Sequence, residues 1–427
     1  MVTRNVSNGT QLTDAMNASV GGDVVVLANG SYPEMVLNAG YASGIVTVKA
    51  ANPLGATLGG INIHFGGRLG VRWEGLKING VGIEGTNANP ITDFHIDKCD
   101  VFGWGVNVIS GKNWSLTNNE IHDTQNVDLV QVANDSSFFL IENNMLHDCH
   151  PTPDGHPDGI QLFSVSGPAP HDGIIRGNWV YDNHSDNAGN WMQGIFLWPH
   201  AGTGFVNMTI EQNMVAVASP NALAADGLRN SSVKNNAILY SGVLQLNNNQ
   251  SVTASGNIYG TLSVAGTPPT LSSNFDYANA ADVFANPGEG QSWDRFKPKT
   301  GGPTDFGSPY GPQARLAQLM GTTPPPTTEP PPVADTLTLT AVTIASPSMG
   351  TVAIVAGKLR YTPAAGFSGV ANGTYTARDT ANQSVTQNWT VTVSAPPNPP
   401  PVLVADTATI AFGTAFVDLD VLANDTP

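Results

Sequence analysis

The sequence predicts an all-β chain, most of which folds as a right-handed parallel β-helix with an N-terminal helical cap. First, a short phrase centred on asparagine recurs between residues 115 and 261 at intervals typical of β-helix coils. Second, Gly (46) and Pro (31) are abundant, whereas charged residues make up only 12% of the chain. Third, alternating β patterns near the C-terminus predict a small Ig-like β-sandwich and the start of a second.

The recurring phrase is an apolar residue, a polar pair ending in Asn, and two further apolar positions. Its anchoring asparagines are spaced by 25, 34, 35, 23 and 21 residues and are Asn119, Asn144, Asn178, Asn213, Asn236 and Asn257. An earlier degenerate copy, FHIDKCDVF, has Cys99 in the asparagine place. Asparagine tolerates the left-handed backbone that tight turns need, and stacked amides can form a hydrogen-bonded ladder. We therefore predict a structural role for these asparagines.

The N-terminal segment NGTQLTDAMNAS has helical spacing, with Leu12, Ala15 and Met16 on one face and Asn8 or Thr10 as the N-cap. Such a helix would cover the first, unpaired edge of the β-helix. The repeat fades after residue 262, and residues 263–320 are irregular and rich in glycine. We expect them to form the last coils and a C-terminal cap, so that the β-helix domain covers residues 1–320.

Two proline-rich segments, residues 321–332 and 396–403, predict extended linkers. Residues 333–395 between them predict a β-sandwich. The tetrapeptide VADT occurs at 333–336 and again at 404–407, so residues 404–427 are interpreted as a partial second copy. The phrases KLRYTPAAGFSG and DVLANDTP resemble the cadherin-like, Ig-like repeats of large bacterial surface and secreted proteins. That resemblance implies a spacer or adhesive module.

Charge and hydropathy exclude several partners. The formal net charge is −16, with 17 Lys and Arg residues that form no cluster, which argues against nucleic acid. No apolar run is long enough to span a bilayer, and the start MVTRNVSNGTQL lacks the apolar segment of a classical secretory signal. We expect the protein to be extracellular, on a cell surface or in a virion.

Two coils are about ten residues too long for the repeat. The extra residues lie at 149–157 and 164–171 in the first long coil, and at 182–191 and 199–204 in the second. Each pair of insertions flanks one strand, DGIQLF (158–163) or QGIFLW (193–198). Because loops on a rigid scaffold commonly carry function, we predict a groove around residues 126–204.

Alignment of the coils places candidate catalytic residues in this groove. Asp128, Asp158 and Gln193 share one column, and neighbouring coils are roughly 4.8 Å apart. Two carboxyl groups this close raise the pKa of at least one of them. Such a pair can act on a glycosidic bond, bind a cation such as calcium, or share a proton. His156 is the candidate base or proton shuttle.

A second set of residues predicts substrate binding. Gln131 and Gln161 share a column that follows Asn107, and their amides suit sugar hydroxyl groups. Trp191 and Trp198 lie at loop–strand borders and could stack on sugar rings, and His200 lies in the loop that follows. Gln193 completes this set.

The phrase HPDGIQLF followed by WMQGIFLW, inside asparagine-laddered coils, resembles the superfamily of right-handed β-helix carbohydrate-active proteins. This superfamily includes pectate-lyase-like enzymes, alginate lyases, mannuronan epimerases and phage tailspike proteins. The resemblance covers about residues 5–320 and implies a polysaccharide as the partner. It also implies lyase, epimerase or hydrolase activity.

Two functions from different classes remain open at this point. The first is a polysaccharide-processing enzyme that uses Asp158, Asp128 and His156. The second is a non-catalytic adhesion protein, on a bacterial surface or as a phage tail spike or fibre, in which the β-helix binds glycan or serves as a rod. A homotrimer, or assembly into a larger surface structure, would favour the second function.

Overall fold

The fold was analysed in a computed structural model. It describes all residues except 38, 153–154, 183–190, 200–203, 241, 288–291, 322–337, 379–383, 396–399, 401 and 427. The chain divides into two compact units, residues 1–326 and residues 327–427. None of the described helices is both long and apolar enough to cross a bilayer.

The first unit is a parallel β-helix with three faces. Face 1 is a sheet of twelve parallel strands, in which every strand pairs with the corresponding strand of the next coil. Its strands are Thr3–Val6, Val24–Leu27, Val46–Ala50, Gly67–Glu74, Ile91–Asp97, Gly111–Thr117, Ser137–Glu142, His171–Arg176, Thr209–Glu211, Ser232–Lys234, Thr253–Ser255 and Thr270–Ser272.

Faces 2 and 3 are joined because two long strands, Lys77–Glu84 and Asp100–Ile109, bend from one face to the other. The other strands of face 2 are Gly30–Tyr32, Ala56–Leu58, Glu120–Gln125, Met145–His150, Trp179–Tyr181, Met214–Val217, Ala237–Tyr240, Ile258–Tyr259 and Phe275–Asp276. The other strands of face 3 are Met35–Val36, Ile61–Ile63, Val130–Ala133, Asp158–Phe163, Gln193–Trp198, Leu223–Asp226, Val243–Asn247 and Thr261–Ser263. A short parallel pair, Phe205–Val206 and Leu228–Arg229, adds to the later coils.

This arrangement confirms the predicted fold class, an all-β chain built on a parallel β-helix. Along most strands apolar side chains alternate with polar ones, so one set points into the coil and the other points to solvent. The inward residues form one continuous core of stacked Val, Ile and Leu that includes Ile83, Val108, Val132, Leu162 and Leu197. Burial of this core stabilises each coil only when its neighbours are in place.

The asparagine ladder is present as predicted. Each ladder amide donates to the Oδ1 atom of the next ladder asparagine at 2.9–3.0 Å, from Asn119 to Asn257. The backbone N–H of Cys99 donates to Asn119, so Cys99 does occupy the asparagine place. Asn274 extends the ladder by one coil that the repeat did not reveal.

The ladder differs from the prediction in one respect. The left-handed backbone belongs to the residue before each ladder asparagine, with φ of 58° at both Asn118 and Asn143. Gly177 precedes Asn178 and has the same conformation, with φ of 65°. The ladder asparagines are buried and serve as hydrogen-bonding groups, while the preceding residue makes the turn.

Both ends of the β-helix are covered. The helix Gly9–Ala18 begins at Asn8, whose side chain accepts a hydrogen bond from the Gln11 N–H, and it buries Leu12, Ala15 and Met16 as predicted. At the other end, short helices at Ala280–Asp282, Trp293–Phe296 and Gln313–Leu319 contribute to a second apolar cluster. In this cluster, residues between 283 and 316 pack against the strands of face 2, and Phe284, Phe296 and Leu316 are almost fully buried.

The second unit contains an antiparallel sheet of three strands, Thr338–Val342, Gly369–Arg378 and Ser384–Val393. Gly350–Val355 and Lys358–Pro363 form a hairpin, and Pro347–Met349 is a short 3-10 helix. This β module agrees with the predicted Ig-like fold. Residues 404–427, the predicted partial second copy, contain no strand among the described residues, and the bridge between Val402 and Thr426 is isolated.

Candidate functional site

A cleft of about 760 Å³ lies on face 3 of the β-helix. It extends from the coil of Glu34 to the coil of Gln161. Its lining residues are Glu34, Gly60, Ile61, Asn62, His64, Asn79, Gly80, Val81, Gly82, Glu84, Trp104, Val106, Asn107, Asn126, Val127, Asp128, Gln131, Gly155, His156, Pro157 and Gln161. The cleft therefore overlaps the predicted groove only over residues 126–161 and continues towards the N-terminal cap.

The floor of the cleft is a column of outward-facing residues in register, Asn62, Gly82, Asn107, Gln131 and Gln161. Strand alternation directs them outward, because the residues on either side of them point into the core. The amide of Gln131 donates to Gln161 Oε1 at 3.3 Å. The predicted column of Asn107, Gln131 and Gln161 is therefore present and presents amides to the cleft.

Asp128 lies in the turn that leads into the strand Val130–Ala133 and contributes a partly exposed carboxyl group to the cleft. Its Oδ1 accepts a hydrogen bond from the Asp158 backbone N–H at 2.8 Å. Its Oδ2 accepts one from the Gln131 amide, also at 2.8 Å. Burial raises the pKa of Asp128, although these hydrogen bonds and His156 oppose the rise.

Asp158 is in the predicted column, next to Asp128 and in register with Gln193. Its side chain is fully buried, however, and does not line the cleft. Burial raises the pKa of Asp158 well above its usual range, the Asp128 carboxylate adds to the rise, and the Gln161 side chain partly opposes it. Neither carboxyl oxygen has a hydrogen bond of standard geometry among the described residues. The side chain of Asp158 thus lies buried beneath the cleft, in surroundings that disfavour its ionised form.

His156 is exposed at the rim of the cleft and close enough to Asp128 to affect its pKa. Its loop is attached to Asn126, whose Oδ1 accepts the Thr152 N–H at 3.1 Å. Gly155 packs so closely on the same amide that an added Cβ would lie 1.6 Å from Asn126 Oδ1. The position of His156 therefore depends on Asn126. This asparagine has a left-handed backbone conformation and contacts the loop that is inserted in the next coil.

The remaining predicted binding residues are not in the cleft. Trp191 and Trp198 are 48% and 40% exposed, and Trp198 stacks on Phe196 with ring centroids 5.8 Å apart. Gln193 accepts a hydrogen bond from the Asn221 amide at 3.0 Å. These residues lie on coils beyond the cleft, and none of them lines it. His200 lies outside the described residues, as does most of the insertion at 182–191.

The N-terminal half of the cleft was missed by the sequence reasoning. Trp104 lines it with 70% of its surface exposed, and Glu84 contributes a carboxylate that contacts His64 at 3.4 Å and the Asn107 amide at 2.9 Å. The available signal was a run of outward glycines, at residues 80 and 82, in a strand whose neighbours carry large side chains. Glycine on the outer face of a strand leaves a depression.

A calcium site at Asp128 and Asp158 was one of the predicted alternatives. No group of three or more His, Cys, Asp or Glu side chains is placed to hold a metal ion in the described part of the chain. The raised pKa of Asp158 also opposes the ionised form that a calcium ligand requires.

Comparisons with known proteins concern the two units separately. No curated protein sequence matches the chain. Among solved structures, the β-helix is similar to pectate lyase Pel9A, at 14% identity over 70% of this chain and 88% of that chain, with a TM-score of 0.39. It is also similar to a mannuronic acid specific polysaccharide family 6 lyase from human gut microbiota, at 14% identity over 62% and 66%, with a TM-score of 0.43.

A third similar structure is an alginate lyase from Paenibacillus sp., at 14% identity over 65% of this chain and 98% of that chain, with a TM-score of 0.30. All three likenesses are likenesses of fold. In the second unit, residues 323–392 match the family model described as Bacterial Ig domain. That segment is similar to bacterial Ig domains, as the KLRYTPAAGFSG phrase predicts.

Proposed function

We propose that the β-helix binds a polysaccharide in the cleft and processes it by proton transfer through Asp128 and His156. The observation that carries this proposal is that Asp128, whose pKa is raised, and His156 line the same open cleft, next to a column of Asn and Gln side chains. Burial favours the protonated form of Asp128, which is the form that can give a proton to a leaving oxygen.

The positioning of Asp128 supports this role. Hydrogen bonds at 2.8 Å to each carboxylate oxygen, from Asp158 and from Gln131, fix the orientation of the group before substrate binds. Asp158, predicted as a catalytic carboxylate, is proposed instead to be a positioning residue, because it is buried beneath Asp128 and does not reach the cleft.

The floor supports glycan binding. Side-chain amides can both donate to and accept from sugar hydroxyl groups. The amides of Asn107, Gln131 and Gln161 lie on consecutive strands, which are about 4.8 Å apart, and Asn62 lies two strands before Asn107, beyond Gly82. The stacked rings of Phe196 and Trp198 lie on the following coil, in register with Gln161 and Phe163. We propose that they extend the same surface for a longer chain.

The test uses the full chain and a panel of polysaccharides, with the release of new chain ends as the measurement. Asp128→Asn and His156→Ala are expected to lower the rate by at least about a hundredfold, the usual size of a proton-transfer contribution. Thermal unfolding of both variants should stay close to that of the parent. If either variant kept the parent rate on every polysaccharide that the parent processes, its proposed role would be wrong.

A steric variant tests the location independently of the chemistry. A Cβ added at Gly82 meets its nearest neighbour, Asn62 Oδ1, at 3.5 Å, which is ordinary contact, so Gly82→Gln should fold and fill the cleft. Ser263→Gln is the matched control, because Ser263 lies in the same outward column several coils away. Loss of glycan binding in the first variant alone would support the location, and equal binding in both would contradict it.

A second candidate is a non-catalytic glycan-binding protein, which the Bacterial Ig domain match at 323–392 favours, since such modules serve as spacers. For either function we infer a location outside the cell. Binding of a glycan in the cleft with no chain end released by the parent would favour the second candidate.

A further inference from the structure

Among its described lining residues, the cleft is acidic and contains no basic side chain other than histidine. Its ionisable lining residues are three carboxylic acids and two histidines, namely Glu34, Glu84, Asp128, His64 and His156. We propose that its substrate is an uncharged glycan, and that the processing reaction is therefore hydrolysis. This inference rests on the proposed function and specifies its substrate class.

The absence of Lys and Arg from the cleft does not depend on the undescribed loops. Residues 113–175 of the sequence contain no Lys or Arg, and the undescribed residues 183–190 and 200–203 contain none either. The insertions that surround His156 therefore bring no positive charge to the cleft beyond histidine. A polymer with one carboxylate per sugar would meet three carboxylic acids there and no Lys or Arg among the described lining residues.

The nearest basic residues along the chain are already paired. Lys77 contacts Asp100 at 3.3 Å, and Lys112 contacts Asp135 at 2.7 Å. Arg176 on face 1 contacts Glu142, also at 2.7 Å. A side chain engaged in such a pair would have to leave its partner before it could neutralise a uronate.

Trp104 provides the complementary apolar surface. It is 70% exposed, and its Cβ lies against the backbone of Gly80, where an added Cβ would be only 2.5 Å away. Gly80 therefore has to be glycine for the indole to lie at this position, and its φ of 81° favours glycine as well. An exposed indole beside amide groups suits the C–H face and the hydroxyl groups of a neutral sugar.

The substrate class determines the reaction. Elimination requires a carboxylate on the sugar to acidify the adjacent C–H, and a neutral sugar has none. In hydrolysis the bond between the anomeric carbon and the bridging oxygen breaks, and the proton of Asp128 goes to that oxygen. The hydroxide portion of a water molecule joins the anomeric carbon, and the remaining proton of the water goes to His156.

Binding of neutral and anionic oligosaccharides of equal length tests the proposal. The probes are glucan, xylan and galactan oligomers against polygalacturonate and alginate oligomers, each titrated into the full chain with a chelator and again with added calcium. At least one neutral series is expected to bind equally well in both conditions and at least tenfold more tightly than either anionic series.

Trp104→Ala should weaken neutral binding about tenfold, the size of one stacking contact. Phe138→Ala is the control, because Phe138 is a similarly exposed aromatic residue, at 63%, on face 1. Product analysis should find new reducing ends without unsaturated sugars.

Three results would overturn the substrate class: anionic oligomers binding as tightly as neutral ones, anionic oligomers binding only when calcium is added, or no oligomer binding at all. Failure of this inference is distinguishable from failure of the proposed function. Processing of an anionic polymer that depends on Asp128 would contradict the substrate class alone. Binding of a neutral glycan that releases no product would contradict the processing role alone.

Discussion

The backbone N–H of Asp158 donates a 2.8 Å hydrogen bond to Oδ1 of Asp128, so a fully buried acid holds a partly exposed one at the cleft. The two carboxyl groups belong to neighbouring coils but face different environments. Asp128 is partly exposed in the cleft, whereas the side chain of Asp158 is fully buried. The two residues are therefore proposed to have different roles although they share a column.

Asp158→Asn is expected to become more stable relative to the parent as the pH rises. The pKa of Asp158 is raised in the folded chain, so its protonated form stabilises the fold at low pH, and this stabilisation is lost as the pH rises through the folded-state pKa. Each unit of the raised pKa corresponds to about 1.4 kcal/mol. Thermal unfolding of both proteins from pH 4 to pH 9 measures the difference.

Asp14→Asn is the control for this series, because Asp14 is exposed on the N-terminal helix. A difference between Asp158→Asn and the parent that stayed constant over the whole pH range would show that Asp158 is not protonated in the folded chain.

Gly155→Ala is expected to lower activity while leaving most of the stability intact. The new Cβ would lie 1.6 Å from Asn126 Oδ1, so the loop must move away from Asn126 and carry His156 with it. The loop is on the surface, so the core of the β-helix is unaffected. Comparison of chain-end release with the unfolding temperature measures both effects. Gly75→Ala, at a turn with φ of 64° outside the cleft, controls for the general cost of replacing glycine.

His122 is expected to make stability depend on pH between about 6.5 and 9. Its Nε2 contacts Asp100 and its Nδ1 contacts Asp123, both at 2.8 Å, and the Asp100 contact is the main cause that raises the pKa of His122 to about 9. The protonated form therefore stabilises the fold fully below pH 6.5, and this stabilisation disappears as the pH rises to 9. His122→Gln should flatten that part of the unfolding profile, and an unchanged profile would contradict the prediction.

Asn178→Ala is expected to cost about 2–4 kcal/mol, because its buried side chain takes part in four hydrogen bonds whose partners would be left unpaired. Asn274→Ala at the end of the ladder should cost clearly less, since that side chain is only partly buried and takes part in three. Denaturant unfolding measures both. Equal costs would indicate that the ladder position does not determine the contribution of each amide.

Much of the fold could be predicted because every coil has to satisfy the same buried hydrogen-bonding groups. Buried amides need hydrogen-bond partners, and the regular recurrence of Asn119, Asn144 and Asn178 in the sequence marks where successive coils supply them. The ladder also aligned Asp128 with Asp158 correctly. What it could not supply was the direction of a side chain next to a turn. The alternation that places Ile160 and Leu162 inside also places Asp158 inside, although it is polar.

The extent of the cleft was harder to predict because a depression depends on what is missing from a surface. Long insertions are visible in a sequence, and they led to residues 126–204. The outward glycine at 82 leaves a depression only because the neighbouring coils place Asn62 and Asn107 on either side of it, and Trp104 lies beside Gly80. Long-range neighbours of this kind are not coded by any local pattern.

The ladder continues without interruption through coils of 34 and 35 residues as well as through coils of 21 to 25 residues. Extra residues enter between strands and leave the amide-to-amide distance unchanged. In such a chain, a single insertion or deletion between two strands can add or remove a surface loop without changing the packing of the core. New substrate preferences can therefore evolve one coil at a time in this architecture.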